Sequence, residues 1–189
     1  MENAMNAYDF DKTIYKKDSS TDFLIYCILK HPKALCRLPS IFAGFVKFFV
    51  LKKGRKEDFK EKAFSVLKYC NSEADIKAFW EKNSSKIKKF YLSQKREDDV
   101  IISASPRFLL EPICTDLGLK HLICTEVDIN TGKFFSQNCW GEEKVVRFRE
   151  IFGDISPDEF YSDSLSDTPM AKISKTAFIV KGEEILPWK

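Results

Sequence analysis

Short apolar runs recur along the chain, and segments with helical periodicity separate them. The runs span residues 5–10, 100–102, 122–124, 160–161 and 177–180. Between them, Ser105 and Pro106 predict the N-cap and first residue of a helix that ends near Gly118. A further helix is predicted over residues 142–152, ending at Gly153. Strands that alternate with helices favour an α/β fold with a parallel sheet.

Residues 19–94 interrupt this alternation, because helical periodicity continues through them without a strand. The apolar positions at helical spacing are Ile41, Phe42, Phe45, Phe48 and Phe49, and then Phe59, Ala63, Val66, Leu67 and Cys70. The stretch from Ser72 to Asp75 resembles a capping box and predicts a third helix, with Phe79 and Trp80 on its apolar face. We predict that residues 14–97 form a helical cap whose phenylalanines pack as its own core. Residues 1–13 and 98–189 are predicted to form the sheet.

The cysteines and histidines exclude several kinds of site. The six cysteines show no Cys-x-x-Cys spacing, and no secretory signal precedes them, so we expect a reducing, cytoplasmic compartment. His31 and His121 lie far apart, and neither has an acidic or cysteine neighbour at metal-ligand spacing. Zinc sites and serine–histidine catalysis therefore lack their central residue, and both histidines are expected to be structural.

The charge pattern argues against a nucleic-acid partner. The formal net charge is only +3, with lysines and acids interleaved along most of the chain. The exception is a basic run of Lys52, Lys53, Arg55 and Lys56. Such a run is typical of a solvated helix end, although it could also steer an anionic substrate or contact a membrane surface. The preceding apolar stretch, residues 38–51, is shorter than the roughly 20 residues that cross a bilayer, so we expect no transmembrane segment and do not favour membrane contact.

Two carboxylates follow the first apolar run. Asp9 and Asp11 stand two residues apart, so their side chains share a face if the strand geometry continues. Two carboxylates this close repel each other, and each raises the pKa of the other unless a cation lies beside them. By itself the pair could equally be two turn residues that bond nearby backbone.

Polar residues also follow the later runs. Ser103 precedes a helix N-terminus, where a phosphate is favoured, although it could belong to an ordinary N-cap region. Lys144 lies in the first turn of its helix, where the macrodipole disfavours a cation unless an anion is near; otherwise it faces solvent. Asp163 and Asp167 are spaced to face one metal site, although Asp167 could instead cap the next helix.

This ordered set resembles the four motifs of the haloacid dehalogenase (HAD) superfamily phosphatases. The matching elements are Asp9-Phe10-Asp11-Lys12-Thr13, Ser103-Ala104-Ser105, Lys144 and Asp163-Ser164-Leu165-Ser166-Asp167. The resemblance covers nearly the whole chain and is strongest to the phosphoserine phosphatase-like branch, which carries a helical cap between the first two motifs. It implies the HAD fold, a Rossmann-like parallel sheet, with residues 14–97 as the inserted cap.

The resemblance also implies a mechanism and a set of residue roles. Asp9 is implied as the nucleophile that forms an aspartyl-phosphate, and Asp11 as general acid and then base. Mg²⁺ is implied as the cofactor, held by Asp9, the backbone carbonyl of Asp11 and Asp163, with Asp167 in support. The implied phosphate or substrate ligands are Thr13, Asp18, Ser103, Ala104 and Lys144. The implied partner is a small phosphate ester, which could be phosphoserine-like.

Three positions depart from the family pattern. Lys12 and Ser162 stand where glycine is common in these phosphatases, and Asp18 stands where phosphoserine phosphatases carry a substrate-binding glutamate. Two other functions stay open. The phenylalanine-rich stretch beside the basic run would suit a phosphatase of a lipid or amphipathic phosphate, and the site could also belong to a catalytically silent phosphate-binding module.

Overall fold

The computed structural model describes residues 5–189, which contain one six-stranded sheet. Its strands are β1 (Ala7–Tyr8), β2 (Val100–Pro106), β3 (His121–Thr125), β4 (Glu159–Ser162), β5 (Thr176–Lys181) and β6 (Glu184–Pro187). The spatial order is β3-β2-β1-β4-β5-β6, and every neighbouring pair is parallel except the antiparallel pair of β5 with β6. The predicted α/β fold with a mostly parallel sheet is confirmed. The sequence did not predict β6.

Eight α-helices lie among the described residues. They are α1 (Ser19–Lys30), α2 (Leu38–Phe45), α3 (Lys56–Phe64), α4 (Ser72–Asn83), α5 (Lys89–Gln94), α6 (Arg107–Asp116), α7 (Glu142–Phe152) and α8 (Thr168–Ile173). A π-helical turn, Val46–Val50, continues α2, and 3₁₀ turns cover Pro32–Arg37, Ser65–Tyr69, Ser84–Lys86 and Leu165–Asp167. None of the helices in residues 5–189 is long and apolar enough to span a bilayer.

The short central strand β1 positions the polar segment that follows it. Ala7 and Tyr8 are fully buried and pair on both sides, with β2 and with β4. Because these three strands are parallel, their carboxyl ends meet at one edge of the sheet. Asp9, Ser103 and Asp163 are therefore brought to the same edge by backbone pairing alone.

The helices between β1 and β2 share their core with the sheet. One buried cluster contains Tyr8 and Phe10 from the first strand region together with Phe23, Phe79 and Trp80 from the helices. The Trp80 indole Nε1 donates a hydrogen bond to the Leu109 carbonyl oxygen at 2.7 Å. The helical region therefore packs against the rest of the chain as well as on itself, and its orientation over the sheet edge is held by buried aromatic contacts.

Several local predictions differ from the structure. Ser72 does not cap α4: the N-cap position is Asn71, and the Ser72 hydroxyl instead donates to the Ile129 carbonyl oxygen at 2.9 Å. Likewise, β2 extends through Ser105 and Pro106, so the N-cap of α6 is Pro106. The Ser72 hydroxyl is thus bonded to a distant residue, and Ser105 belongs to a strand, so neither caps the helix that the local pattern predicted it to cap.

The phenylalanines of α2 and the π turn are the largest departure from the predicted core. Phe42 is 67% exposed, and Phe45 and Phe49 are both more than 40% exposed. Helical spacing grouped these side chains, and Phe45 and Phe49 contact the ring of Phe59 on α3, but the face stays largely open at Phe42. The ends predicted from Gly118 and Gly153 do agree with the structure, since both glycines adopt positive φ just after α6 and α7.

Candidate active site

Asp9 lies at the centre of a buried chain of charged groups. Lys144 Nζ donates to Asp9 Oδ1 at 2.7 Å and to Asp167 Oδ2 at 2.8 Å. The lysine is 1% exposed, which is opposite to the solvent-facing alternative left open by its position in the first turn of α7. Helix α7 thus directs a cation between two carboxylates, and Asp167 does not use its side chain to cap α8.

Asp11 is held separately from Asp9. Its Oδ1 accepts from the Ser19 backbone N–H at 2.7 Å, at the start of α1. Its Oδ2 accepts a short hydrogen bond from the Ser105 hydroxyl, which also contacts the Ser20 hydroxyl at 2.8 Å. Both carboxyl oxygens are oriented by neighbours, so the side chain has a defined direction in the cleft.

Thr13 links the first and last segments of the site. Its hydroxyl donates to Asp9 Oδ2 at 3.2 Å and accepts from the Asp163 backbone N–H at 2.9 Å. Thr13 is fully buried. This hydroxyl therefore aligns Asp9 with the segment after β4, in addition to any contact with a ligand.

Lys12 and Ser162, which stand where glycine is common in these phosphatases, each make a structural contribution to the site. Lys12 adopts φ +59°, in the left-handed region that favours glycine, so the turn keeps its shape despite the side chain. The buried Lys88 Nζ donates to the Lys12 carbonyl oxygen and braces this turn. The Ser162 hydroxyl donates to Asp167 Oδ2 at 2.7 Å, a contact that glycine could not make.

The predicted phosphate-binding residues, Ser103 and Ala104, lie on β2, the strand that pairs with β1 just before Asp9. Ser103 is buried, and its hydroxyl accepts from the Ser105 backbone N–H at 3.1 Å. The Ala104 carbonyl oxygen accepts from Lys60 Nζ at 3.0 Å, which ties α3 to this segment. Burial lowers the pKa of Lys60 to about 8.

The acidic groups share one electrostatic feature. Burial is the main cause that raises the pKa values of Asp9, Asp11 and Asp163 above the usual range for carboxyls. Burial alone would lower the pKa of Lys144, but the carboxylates that contact it outweigh that effect and raise it. Lys144 contacts only Asp9 and Asp167, so among the described residues no ammonium lies within hydrogen-bond distance of the Asp11 and Asp163 carboxyls. The four lysines that line the cavity are also fewer than its five aspartates.

The donor set fits a magnesium ion. Asp9 and Asp163 supply hard carboxylate oxygens on one cavity, and the turn between Asp9 and Thr13 can supply a backbone carbonyl. Asp167 Oδ1 is buried without a hydrogen-bond partner among the described residues. The uncompensated negative charge and this orphaned oxygen are both what a bound cation would satisfy.

The predicted site residues converge on one cavity of about 500 Å³. Among those that line it are Asp9, Asp11, Asp18, Ser103, Ala104, Lys144, Asp163 and Asp167. Asp18 is the N-cap of α1, where its Oδ1 accepts from the Thr21 backbone N–H at 2.8 Å. Thr13 is not among the lining residues and lies behind Asp9.

Sequence reasoning missed three side chains that position this site. Ser105 was placed in the second motif and as an N-cap but was given no role at the site, and no role was assigned to Lys60 or Lys88. The two lysines come from helices and turns within residues 14–97, and their partners are backbone carbonyls more than forty residues away. A search for motifs cannot find such contacts, because any lysine on an amphipathic surface produces the same pattern.

Comparison with known proteins gives one family and a consistent fold. The family model of haloacid dehalogenase-like hydrolases matches residues 7–172. A probable phosphatase from Mycobacterium tuberculosis is 33% identical over 90 residues, which are 44% of this chain and 31% of that relative. The match thus spans about a third of the length of the curated relatives.

Two solved structures share the fold. A protein of unknown function from Bordetella pertussis has a TM-score of 0.71 at 19% identity, covering 92% of this chain and 88% of that one. A phosphoserine phosphohydrolase-like protein from Francisella tularensis has a TM-score of 0.59 at 18% identity, covering 94% and 86%. At these identities the likeness concerns the arrangement of helices and strands.

Proposed function

The chain belongs to the haloacid dehalogenase-like hydrolase family, and from that premise we propose that it is a Mg²⁺-dependent phosphomonoesterase that works through an aspartyl-phosphate on Asp9. The resemblance in the four motifs supports this proposal. So do the name of the mycobacterial relative, a probable phosphatase, and that of the Francisella neighbour.

The observation that carries the proposal is the contact between Lys144 and Asp9. A nucleophilic carboxylate must be ionised in a buried, apolar setting, and burial opposes ionisation. The ammonium 2.7 Å away favours the ionised form, and it can donate to a phosphoryl oxygen as negative charge moves from Asp9 to the phosphoryl group and the leaving oxygen. An interaction of this kind has little purpose in a module that binds phosphate alone.

In the first step, an Asp9 carboxylate oxygen attacks phosphorus and the bond from phosphorus to the ester oxygen breaks. Asp11 gives its proton to that leaving oxygen, and its raised pKa favours the protonated form that this role requires. Ser105 and Ser19 keep the carboxyl group directed into the cleft.

In the second step, Asp11 takes a proton from water, the water oxygen attacks phosphorus, and the acyl-phosphate bond to Asp9 breaks. Lys144 and the segment from Ser103 to Ser105 are proposed to hold the phosphoryl oxygens through both steps. A magnesium ion held by Asp9, Asp163 and the Asp11 carbonyl would supply positive charge that lets a phosphate dianion approach these carboxylates.

We further propose that residues 14–97 act as a substrate-selecting cap over a core of residues 1–13 and 98–189. Asp18, Lys56 and Lys60 all come from this region and line the cavity beside the proposed catalytic groups. The contact of Phe10 with Trp80 holds this region against the sheet edge, and Lys60 Nζ reaches the Ala104 carbonyl oxygen on β2.

The overall proposal is tested with a panel of phosphate esters assayed with and without Mg²⁺. Hydrolysis of p-nitrophenyl phosphate that is lost with chelator and restored by Mg²⁺ is expected. A chain that binds inorganic phosphate yet hydrolyses no ester in the panel would be the silent phosphate-binding module instead.

Asp11→Asn should lower kcat/KM for an alkyl phosphate by about 100-fold or more, the usual contribution of a general acid. The loss on p-nitrophenyl phosphate should be distinctly smaller, because a nitrophenolate needs no proton to depart. Steady-state kinetics on both esters measure the difference. Equal losses on the two esters would contradict the proton-donor role, and the exposed Asp154→Asn serves as the control.

Asp18 should influence substrate preference through its charge. We expect Asp18→Ala and Asp18→Asn both to change the ranking of esters in the panel. Only the alanine variant should also lower stability, by about 1 kcal/mol, because asparagine retains the N-cap of α1. Chemical denaturation and substrate profiles separate the two effects. An unchanged ranking in Asp18→Asn would show that the residue acts only as a cap.

A further inference from the structure

The cavity has a second wall that the catalytic proposal does not use. Beyond the carboxylates it is lined by apolar side chains from α1, α2, the π turn, α3 and the 3₁₀ turn after α3, including Leu24, Ile28, Ile41, Phe49, Phe59 and Val66. A polar metabolite would need hydrogen-bond or charge partners along this wall, and these side chains offer none. They are suited to contact with hydrocarbon.

The outer edge of this wall belongs to a segment with an unusual composition, residues 31–56, here called the basic aromatic segment. It contains seven lysines and arginines and no aspartate or glutamate: Lys33, Arg37, Lys47, Lys52, Lys53, Arg55 and Lys56. Its exposed large apolar side chains are Leu35, Leu38, Phe42, Phe45, Phe49, Val50 and Leu51. The rest of the chain interleaves its charges, so this local excess of cations is distinctive.

The cavity and the surface are continuous through shared residues. Leu38 and Phe49 both line the cavity, and each is 42% exposed to solvent. Phe42, on the same segment, is 67% exposed. Through these shared residues, the apolar wall of the cavity continues into an exposed apolar patch bordered by cations.

Resting on the proposed phosphatase activity, we propose that the substrate is a phosphomonoester whose alcohol carries a long hydrocarbon chain, and that the basic aromatic segment rests on an anionic lipid surface from which this substrate enters. The phosphate reaches Asp9 while the chain lies along the apolar wall. Aromatic and aliphatic side chains flanked by lysines are the composition that binds the interface of an anionic bilayer. This favours the lipid-phosphate alternative that the sequence left open, and it departs from the expectation that membrane contact is not favoured.

Chain length provides the first test. Butyl phosphate and dodecyl phosphate are compared at concentrations below micelle formation, with p-nitrophenyl phosphate as the reference ester. We expect kcat/KM to be about 60-fold or more higher for the dodecyl ester, which requires burial of only three added methylenes at about fourfold each. Hydrolysis of the reference ester with no dependence on chain length would overturn the substrate assignment alone. Failure to hydrolyse any ester would remove the phosphatase proposal and this inference with it.

A matched pair of variants locates the chain-binding wall. Phe49→Ser should reduce the dodecyl-to-butyl ratio of kcat/KM by about tenfold, the value expected when a well-buried aromatic contact with hydrocarbon is lost. Leu92→Ser, on α5 outside the cavity and 45% exposed, should keep the wild-type ratio. Equal ratios in the two variants would contradict this placement of the chain.

Vesicle sedimentation tests the lipid surface. The protein should sediment with vesicles of equimolar phosphatidylcholine and phosphatidylglycerol and not with phosphatidylcholine alone. The double variant Lys33→Glu with Lys53→Glu should lose most of this binding, whereas Lys89→Glu with Lys172→Glu makes the same change in net charge outside the segment and should retain it. Binding that is absent in wild type, or equally reduced in both double variants, would overturn the surface assignment.

Discussion

Asp9→Asn is expected to reduce turnover of every phosphate ester by about 10⁴-fold or more, since loss of a nucleophile removes the chemical step and leaves only binding. The amide keeps the shape of the side chain, and its oxygen can still accept from Lys144. Substrate should therefore still bind. Equilibrium binding of a slowly hydrolysed ester measures this directly, and the exposed Asp154→Asn should behave as wild type in both assays.

Stability distinguishes loss of chemistry from loss of structure in this variant. Burial raises the pKa of Asp9, so at neutral pH the ionised carboxyl costs folding free energy relative to the unfolded chain. Asp9→Asn relieves that cost but also takes one of two carboxylate partners from the buried Lys144. Because the two effects oppose each other, the melting temperature in chelator should change little. A marked fall in melting temperature would indicate that the inactivity reflects a damaged fold.

The position of the covalent adduct is a separate consequence of the same proposal. Mass spectrometry of acid-quenched or fluoride-trapped wild type should place the phosphoryl group, or its analogue, on Asp9. An adduct on Asp11 or Ser103, or turnover with no adduct at any residue, would overturn the assignment of the nucleophile.

Asp163→Asn should produce the second largest loss, about 10³-fold at a fixed low concentration of Mg²⁺, with partial recovery at high Mg²⁺ if the remaining ligands still hold the ion. Chelator should abolish wild-type activity to a similar extent. The reason is that one of the two proposed carboxylate ligands becomes a neutral amide on a cavity that otherwise holds excess negative charge.

A readout that does not depend on turnover accompanies this prediction. Mg²⁺ should raise the melting temperature of wild type, since an ion that binds only the folded state stabilises it. Asp163→Asn should lose most of that increase, while Asp154→Asn, whose side chain is 98% exposed, should keep it. Full activity of Asp163→Asn, or of wild type in excess chelator, would refute the metal assignment.

Much of the architecture was predictable because it depends on local sequence. Short apolar runs followed by polar residues identified β1, β2 and β4, and parallel pairing then required Asp9, Ser103 and Asp163 to meet at one edge. The order of the motifs along the chain also placed the helical region between the first two strands. The ends of α6 and α7 followed from Gly118 and Gly153, which adopt the conformation that ends a helix.

The contacts within the site were decided by tertiary structure. The sequence placed Lys144 in the first turn of a helix, but its two carboxylate partners come from segments 135 and 23 residues away. Ser105 illustrates the same limit, because the short hydrogen bond to Asp11 crosses 94 residues. Such partners depend on strand order and on how the helices pack over the sheet edge, neither of which is encoded in local spacing.

The exposed phenylalanines show most clearly that local sequence pattern cannot predict burial. Helical spacing correctly grouped Phe42, Phe45 and Phe49 on one face, since that periodicity is a property of the backbone. Whether the face is buried depends on what packs against it, and within residues 5–189 nothing covers Phe42. The sequence by itself determined the first five strands, the helical region between the first two, and the order in which polar residues reach the sheet edge, but it did not predict β6. Only the tertiary structure decided which side chains touch and which apolar face stays open, because burial and long-range hydrogen bonds arise from the packing of distant segments.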